Sequence, residues 1–140
     1  MLDRRFILEN ADQVAENCRN RGVDADVSQL VELEQRRKAL LQEIQDLNQQ
    51  ANTVSKSIGQ AKDESEREAR KEEGRHLREQ KDAKQNEHDE LDEQIADIQS
   101  GIPNMTHPAA PIGEDDKANL ELRRGKSEIP SFDFDILDHV

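Results

Sequence analysis

The sequence is poor in aromatic residues and in cysteine: its 140 residues include no tryptophan, no tyrosine, three phenylalanines and one cysteine. A single cysteine excludes a disulfide within the chain. Cys18 follows Val14 by four residues on an apolar helix face, which favours a buried thiol over a reactive one. No apolar run approaches the roughly 20 residues of a membrane span, and Met1–Arg5 lacks the apolar block of a signal peptide. We expect a soluble cytoplasmic protein that does not enter membranes.

The sequence also lacks any recognisable catalytic or metal-binding pattern. Its four histidines show no paired metal-ligand spacing, and no nucleophile stands in an arrangement with a base. These histidines are His76, His88, His107 and His139. We predict no catalytic residue, no metal ligand and no cofactor in this chain.

Charged residues are abundant, at 37% against 32% hydrophobic, and the mean hydropathy is −1.06. That is too polar for a conventional globular core of this length. Apolar or small residues nevertheless recur three and four apart, which is the heptad spacing of a coiled-coil seam. The residues of this first seam are Leu30, Leu33, Leu40, Ile44, Leu47, Ala51, Val54, Ile58 and Ala61.

The seam breaks over Gly59–Glu64 and resumes on a second helix. Ser65 and Glu68 have the spacing of a capping box, which predicts that this helix starts at Ser65. Gly101 and Pro103 then end it. The second seam contains Leu77, Leu91, Ile95 and Ile98, while polar residues occupy seam positions at Arg37, Lys81, Lys84 and His88. These polar side chains either extend their charged ends to solvent or allow the arm to bend.

Folding the second helix back on the first brings the two seams into register without adjustment. Each arm is then about 50 Å long. We predict an all-α fold: a long antiparallel two-helix coiled-coil hairpin on a small helical base, with an extended C-terminal linker that carries short strand-like segments. The expected domains are 1–26, the base; 27–100, the arm; and 101–140, the linker and first elements of a missing catalytic domain. The paired seam positions are Leu30 with Ile98, Leu33 with Ile95, Ala51 with Leu77, and Val54 with Gly74.

The base begins with the apolar cluster Phe6–Leu8. Asn10 is the expected N-cap of a helix that runs through Arg21 and ends at Gly22. Asp26, with Gln29 three residues later, is placed to cap the long helix. This small unit is expected to pack against the root of the hairpin.

The tail changes composition abruptly, because four prolines or glycines fall within Pro103–Gly113 and indicate an irregular linker. Apolar residues alternate in Asn119–Arg124 and again in Phe132–Ile136, which predicts two short strands. Strands this small have nothing in the chain to pack against. They therefore indicate the start of a further domain or, alternatively, a disordered tail.

The net charge of −12 is unevenly placed: residues 62–84 hold eight basic and eight acidic residues, whereas 85–99 hold six acids and no Lys or Arg. The basic residues near the tip share one helical sector, which indicates either a solvated face or a stripe that follows a phosphate backbone. Glu66 and Arg70 have the i,i+4 spacing of an ordinary solubilising pair. Since the arm has no aromatic residue on which bases would stack, an RNA partner would be read by backbone and shape.

The chain as a whole resembles the N-terminal tRNA-binding arm of bacterial-type seryl-tRNA synthetases, followed by the start of the linker to the catalytic domain. The linker is the most specific part, since a generic coiled coil would match the helices alone. The matching motifs are Met-Leu-Asp-x-x-Phe-Ile-x-Glu-Asn at residues 1–10, Arg-x-Arg-Gly at 19–22, Asn-x-x-Ser-Lys-x-Ile-Gly at 52–59, Ile-Pro-Asn-x-x-His-Pro-x-x-Pro-x-Gly at 102–113, Asn-x-Glu at 119–121, and Phe-Asp-Phe at 132–134 leading to Asp138 and His139.

This resemblance implies a homodimeric class II enzyme that activates serine with ATP and magnesium and transfers it to serine tRNA. The helical arm of such enzymes contacts the long variable arm and elbow of the tRNA, mainly through the backbone. The three class II motifs are absent from these residues, so we expect the chain alone to be an inactive monomer. It is expected to bind neither DNA nor membranes.

The resemblance places the RNA contacts among the distal cations of the arm. The rival hypothesis is an antiparallel coiled-coil spacer or protein-interaction module with no RNA role. The candidate tRNA-binding residues are Lys56, Lys62, Arg67, Arg70, Lys71, Arg75 and Arg78.

Overall fold

The computed structural model describes residues 1–125 and 131–135, and the chain divides into two units, Met1–Thr106 and His107–Val140. The first unit contains α1 (Arg4–Glu9), α2 (Ala11–Asn20), α3 (Val27–Ile58) and α4 (Glu64–Gly101). The all-α prediction is confirmed, since the structure is 68% helix and its described residues include no strand.

The helices α3 and α4 pack against each other as the predicted hairpin. At 1.5 Å per residue, α3 is about 48 Å long and α4 about 57 Å. The expected register is confirmed near the tip, where a Cβ built on Gly74 would lie 3.7 Å from Val54 Cγ1. It also holds midway along the arm, where Lys84 Nζ lies 2.8 Å from a Glu43 carboxylate oxygen.

The base of the hairpin holds the apolar core. Side chains of α1 and α2 pack there against the root of α3 and the end of α4. The predicted burial of Cys18 is confirmed, and that burial raises the pKa of its thiol above the usual value of 9.0. The core residues are Ile7, Val14, Cys18, Val27, Leu30, Ile95 and Ile102.

The helix caps and helix end in the base differ from the prediction in two places. Asp3 caps a separate helix α1, and Asn10 makes no side-chain capping bond, because its amide instead donates to the Phe6 carbonyl at 2.9 Å. The second helix ends at Asn20, one residue before the predicted end, and Gly22 takes φ of 63°, a left-handed conformation that favours glycine. Asp26 caps α3 as predicted, accepting from the Gln29 amide at 2.8 Å.

The polar residues at seam positions behave in two ways, since some extend to solvent and others form hydrogen bonds inside the hairpin. Lys84 extends outward to an exposed pair, as expected of a snorkelling side chain. Arg37 instead stays half-buried and donates two hydrogen bonds, at 2.8 and 2.9 Å, to Glu34, which is 3% exposed. Arg37 also lies 3.2 Å from the His88 ring, and Arg4 lies 3.8 Å from Glu34. An ionic layer therefore crosses the hairpin just above its apolar base.

Asn17 joins the base to the segment after α4. Its buried side chain accepts a hydrogen bond from the Thr106 amide at 2.9 Å and donates to the Asn104 carbonyl. Arg21 donates to the same carbonyl at 2.9 Å. These bonds supply partners for backbone groups of the irregular segment that follows α4.

The second unit has little regular structure in its described part. One 3-10 turn covers Asp116–Ala118, and Asn119–Arg124 does not form the predicted strand. Its Leu120 and Leu122 are exposed, and residues 1–125 and 131–135 include no strand that would share backbone hydrogen bonds with them. Phe132 and Phe134 also lie outside any strand, and the rest of that predicted strand, from Ile136, falls outside the described residues.

Candidate nucleic-acid interface

The seven cations predicted to contact RNA lie at the end of the hairpin away from the apolar base. One is in the last turn of α3, one is in the connection between the helices, and five are in the first four turns of α4. They are Lys56, Lys62, Arg67, Arg70, Lys71, Arg75 and Arg78.

The start of α4 differs from the prediction by one residue. The helix begins at Glu64, and its N-cap is Asp63, whose carboxylate accepts from the Glu66 amide at 2.8 Å. The predicted box of Ser65 and Glu68 is therefore wrong. Asp63 and Glu66 offer the same spacing two residues earlier, and a charged carboxylate interacts more favourably than a serine hydroxyl with the positive end of the helix dipole.

Four of the seven cations form ion pairs one turn along α4, and three of these pairs lie on an exposed face. Arg67 lies 4.0 Å from Glu64, and Arg75 lies 2.8 Å from Glu72. Lys71 pairs with Glu68, and its hydrogen bond lowers the pKa of that carboxyl group. Exposed pairs of this kind contribute little to stability, so a phosphate is able to replace the carboxylate partner.

Lys56, Lys62 and Arg78 behave differently. All three are exposed, and in the part of the chain that the structure describes none of them forms an ion pair. Their charged ends can therefore meet a phosphate without the loss of an ion pair. The sequence distinguishes Lys56, which has no acidic residue within four positions, but it does not distinguish Lys62 and Arg78, which have acidic neighbours as the paired cations do.

Arg70 is the exception among the candidates. Its guanidinium donates to the Ser57 carbonyl of α3 and pairs with Glu66 of α4, and its side chain is 26% exposed. The sequence predicted the Glu66 pair through its i,i+4 spacing. The Ser57 bond depends on the folding of the hairpin and had no sequence signal.

Charge is unevenly distributed along the second helix of the hairpin: residues 62–84 hold equal numbers of basic and acidic residues, eight of each. The proximal residues 85–99 carry six acids and no Lys or Arg. The exposed ones include Asp89, Glu90, Glu93 and Asp97. A polyanion would be repelled from this proximal stretch and attracted to the distal cations.

Among residues 1–125 and 131–135, none of the helices is both long and apolar enough to cross a membrane. Within the same residues, no three His, Cys, Asp or Glu side chains come together as a set that would hold a metal ion.

The fold and the distal cations define a helical-hairpin arm of the antiparallel coiled-coil class. Comparison with known proteins makes the assignment specific: residues 1–106 match the family model of the seryl-tRNA synthetase N-terminal domain. The chain belongs to that family.

Three relatives are similar over the full chain, and each is named serine–tRNA ligase. The identity is 49% for the protein of Rhodopirellula baltica, 45% for that of Rubrobacter xylanophilus and 38% for that of Treponema denticola. The alignments cover 100% of this chain and 33% of each relative. The chain thus spans about a third of the length of these relatives.

Proposed function

We propose that this chain is the tRNA-binding arm of a serine–tRNA ligase and that it binds the long variable arm and elbow of serine tRNA. The observation that carries the proposal is a distal group of exposed cations that form no ion pair among the described residues, Lys56, Lys62 and Arg78, in a member of the seryl-tRNA synthetase N-terminal domain family. Because the arm has no aromatic side chain, recognition depends on phosphates and on the shape of the RNA.

The paired cations extend this contact surface. Arg67, Lys71 and Arg75 each have a carboxylate partner on an exposed face. An approaching phosphate replaces that carboxylate, and the planar guanidinium of an arginine then binds two phosphate oxygens at once. Such contacts follow the backbone of an RNA helix and carry no base sequence, so the length and position of the variable arm determine recognition.

The whole protein is proposed to attach serine to tRNA, with ATP and magnesium, as a cytoplasmic homodimer. The described residues include no side-chain set that fits magnesium, and no step of that chemistry is assigned to this chain. We propose the same division as above, with 1–26 as the base, 27–100 as the arm and 101–140 as a linker into a catalytic domain. By itself the chain is expected to be an inactive monomer that binds neither DNA nor membranes.

The direct test is fluorescence anisotropy of the 140-residue chain with serine tRNA at low salt. The control RNA is the same tRNA without its long variable arm. Tighter binding of the intact tRNA supports the proposal. Equal binding of the two RNAs, or no binding, contradicts recognition by the isolated arm.

Salt dependence separates this function from that of a coiled-coil spacer. Contacts with a handful of phosphates predict a log–log slope of roughly −3 to −6. A protein partner held by an apolar seam would respond little to salt, and that result together with no RNA binding would favour the spacer.

Charge reversal locates the surface. Arg75→Glu combined with Arg78→Glu is expected to weaken tRNA binding while helicity is unchanged. A matched control, Arg19→Glu combined with Lys38→Glu, alters the net charge equally at two exposed positions away from the tip, one in the base and one in the proximal part of α3. Equal losses from the two double variants would show a non-specific charge effect and contradict the assigned surface.

A further inference from the structure

The connection between α3 and α4 is held by a chain of polar contacts centred on Arg70. Its guanidinium bonds with one nitrogen to the Ser57 carbonyl and with the other to Glu66. Ser57 lies in the last turn of α3, and its carbonyl also accepts hydrogen bonds from the amides of Gly59 and Gln60. Arg70 therefore joins the end of one helix to the beginning of the other.

Glu66 uses both of its carboxylate oxygens. One bonds Arg70, and the other accepts a hydrogen bond from the Lys62 backbone amide at 2.7 Å. The amide of Glu66 is itself capped by Asp63 at 2.8 Å. We call the set Ser57, Lys62, Glu66 and Arg70 the tip lock.

The geometry of the tip lock suits a positioning role. The side chain of Glu66 is 35% exposed and that of Arg70 is 26% exposed, so both are more sheltered than the neighbouring pair of Arg75 and Glu72, at 64% and 72%. The planar fork of arginine reaches two acceptors together, which the single ammonium of lysine does less well.

We propose that Glu66 and Arg70 are positioning residues for RNA binding, which hold the tip so that Lys56 and Lys62 meet phosphates. Lys62 is fixed through its own backbone amide, and Lys56 precedes the Ser57 carbonyl that Arg70 binds. This inference rests on the proposed function, and it removes Arg70 from the set of direct RNA contacts. It assigns an acidic residue, Glu66, a favourable role in binding a polyanion.

The decisive comparison is between Glu66→Ala and Glu64→Ala. Both substitutions remove a carboxylate from the first turn of α4, but Glu64 lies outside the tip lock, and its one ion pair among the described residues is with Arg67, at 4.0 Å. Simple electrostatics predicts tighter binding in both variants. The tip lock predicts that Glu64→Ala binds serine tRNA up to about twofold more tightly, whereas Glu66→Ala binds about three- to tenfold more weakly because the loop must be ordered on binding.

Arg70→Lys provides a second test, because it keeps the charge and loses the fork. We expect binding about threefold weaker with an unchanged salt slope, since the phosphate contacts are made by other residues. Unchanged affinity in Arg70→Lys, or tighter binding in Glu66→Ala, would overturn the tip lock and leave the proposed function intact. If the unaltered chain binds no tRNA, the proposed function fails and the role of the lock fails with it.

Hydrogen exchange tests the lock without RNA. In Glu66→Ala the Lys62 amide should exchange about tenfold faster or more, with the melting temperature of the base unchanged. In Glu64→Ala its exchange should match that of the unaltered chain. Equal protection of the Lys62 amide in all three proteins would contradict the lock.

Discussion

Arg37→Met is predicted to destabilise the hairpin by about 3 kcal/mol, because it leaves the Glu34 carboxylate buried without its main partner. Glu34 is 3% exposed and accepts both of its short hydrogen bonds from Arg37. Removing one member of a buried pair costs roughly 3–5 kcal/mol. The lower end applies here, since Arg37 is itself 21% exposed and Arg4 remains 3.8 Å from Glu34.

Thermal unfolding followed by circular dichroism at the helical band is a suitable assay, and the expected loss corresponds to a decrease in Tm of roughly 10 °C. Arg36→Met is the matched control. Its side chain is 62% exposed in a surface pair with Glu87, so its removal should change stability by about 0.5 kcal/mol or less.

The double variant Glu34→Leu with Arg37→Met completes the test. Replacing both charges with apolar groups removes the unpaired carboxylate and should restore stability to near that of the unaltered chain or above it. A single Arg37→Met variant as stable as the Arg36→Met control would refute the reasoning. The reasoning would also be refuted if the double variant lost as much stability as the single variants Glu34→Leu and Arg37→Met lose in sum.

Three further predictions concern the base and the seam. The pKa of Glu34 is held below its ordinary 4.5, chiefly by hydrogen bonds from Arg37. Its stabilising contribution is therefore complete above pH 4.5 and is lost as the pH falls below that value, so Glu34→Gln should flatten the acid limb of a stability–pH curve. Gly74→Ala should stabilise the folded chain by about 0.5–1 kcal/mol, since the new methyl group meets Val54 at an ordinary van der Waals distance. Gly22→Ala should destabilise it by about 1 kcal/mol, because Gly22 has a left-handed φ. Chemical unfolding measures both free-energy changes. Cys18 should react with a thiol reagent at neutral pH only as fast as the base opens, and rapid labelling of the folded chain would contradict its burial.

Much of the fold followed from the sequence because a coiled-coil seam is a periodic signal. Apolar residues follow heptad spacing along each helix, including Leu30 on α3 and Ile95 on α4, and this pattern predicted both the hairpin and its register. The errors occurred where a local signal had a competitor nearby or needed a partner that the described residues do not supply. Asp63 and Ser65 both offered a cap with a glutamate three residues later, and the alternation around Leu120 predicted a strand that finds no partner.

The candidate site was less accessible to sequence reasoning. The helical periodicity of the sequence placed the cations on one sector of the helix. Which of them form ion pairs with carboxylates depends on side-chain geometry. Arg75 and Arg78 both have an acidic residue four positions later, yet among the described residues Arg75 forms an ion pair, with Glu72, and Arg78 forms none. Arg70 differs even more, since its acceptor on Ser57 belongs to the opposite helix.

The burial of the seam decreases from base to tip. Near the base, Leu30 and Ile95 are completely buried, whereas the distal seam residues Ala51 and Val54 are only half-buried. Each turn of a two-helix arm has a single neighbour across the seam, so no other layer compensates where contacts are thin. Local unfolding of the hairpin should therefore start at the tip and propagate toward the base. The arm thus combines a well-packed apolar base with a tip held by a few polar contacts.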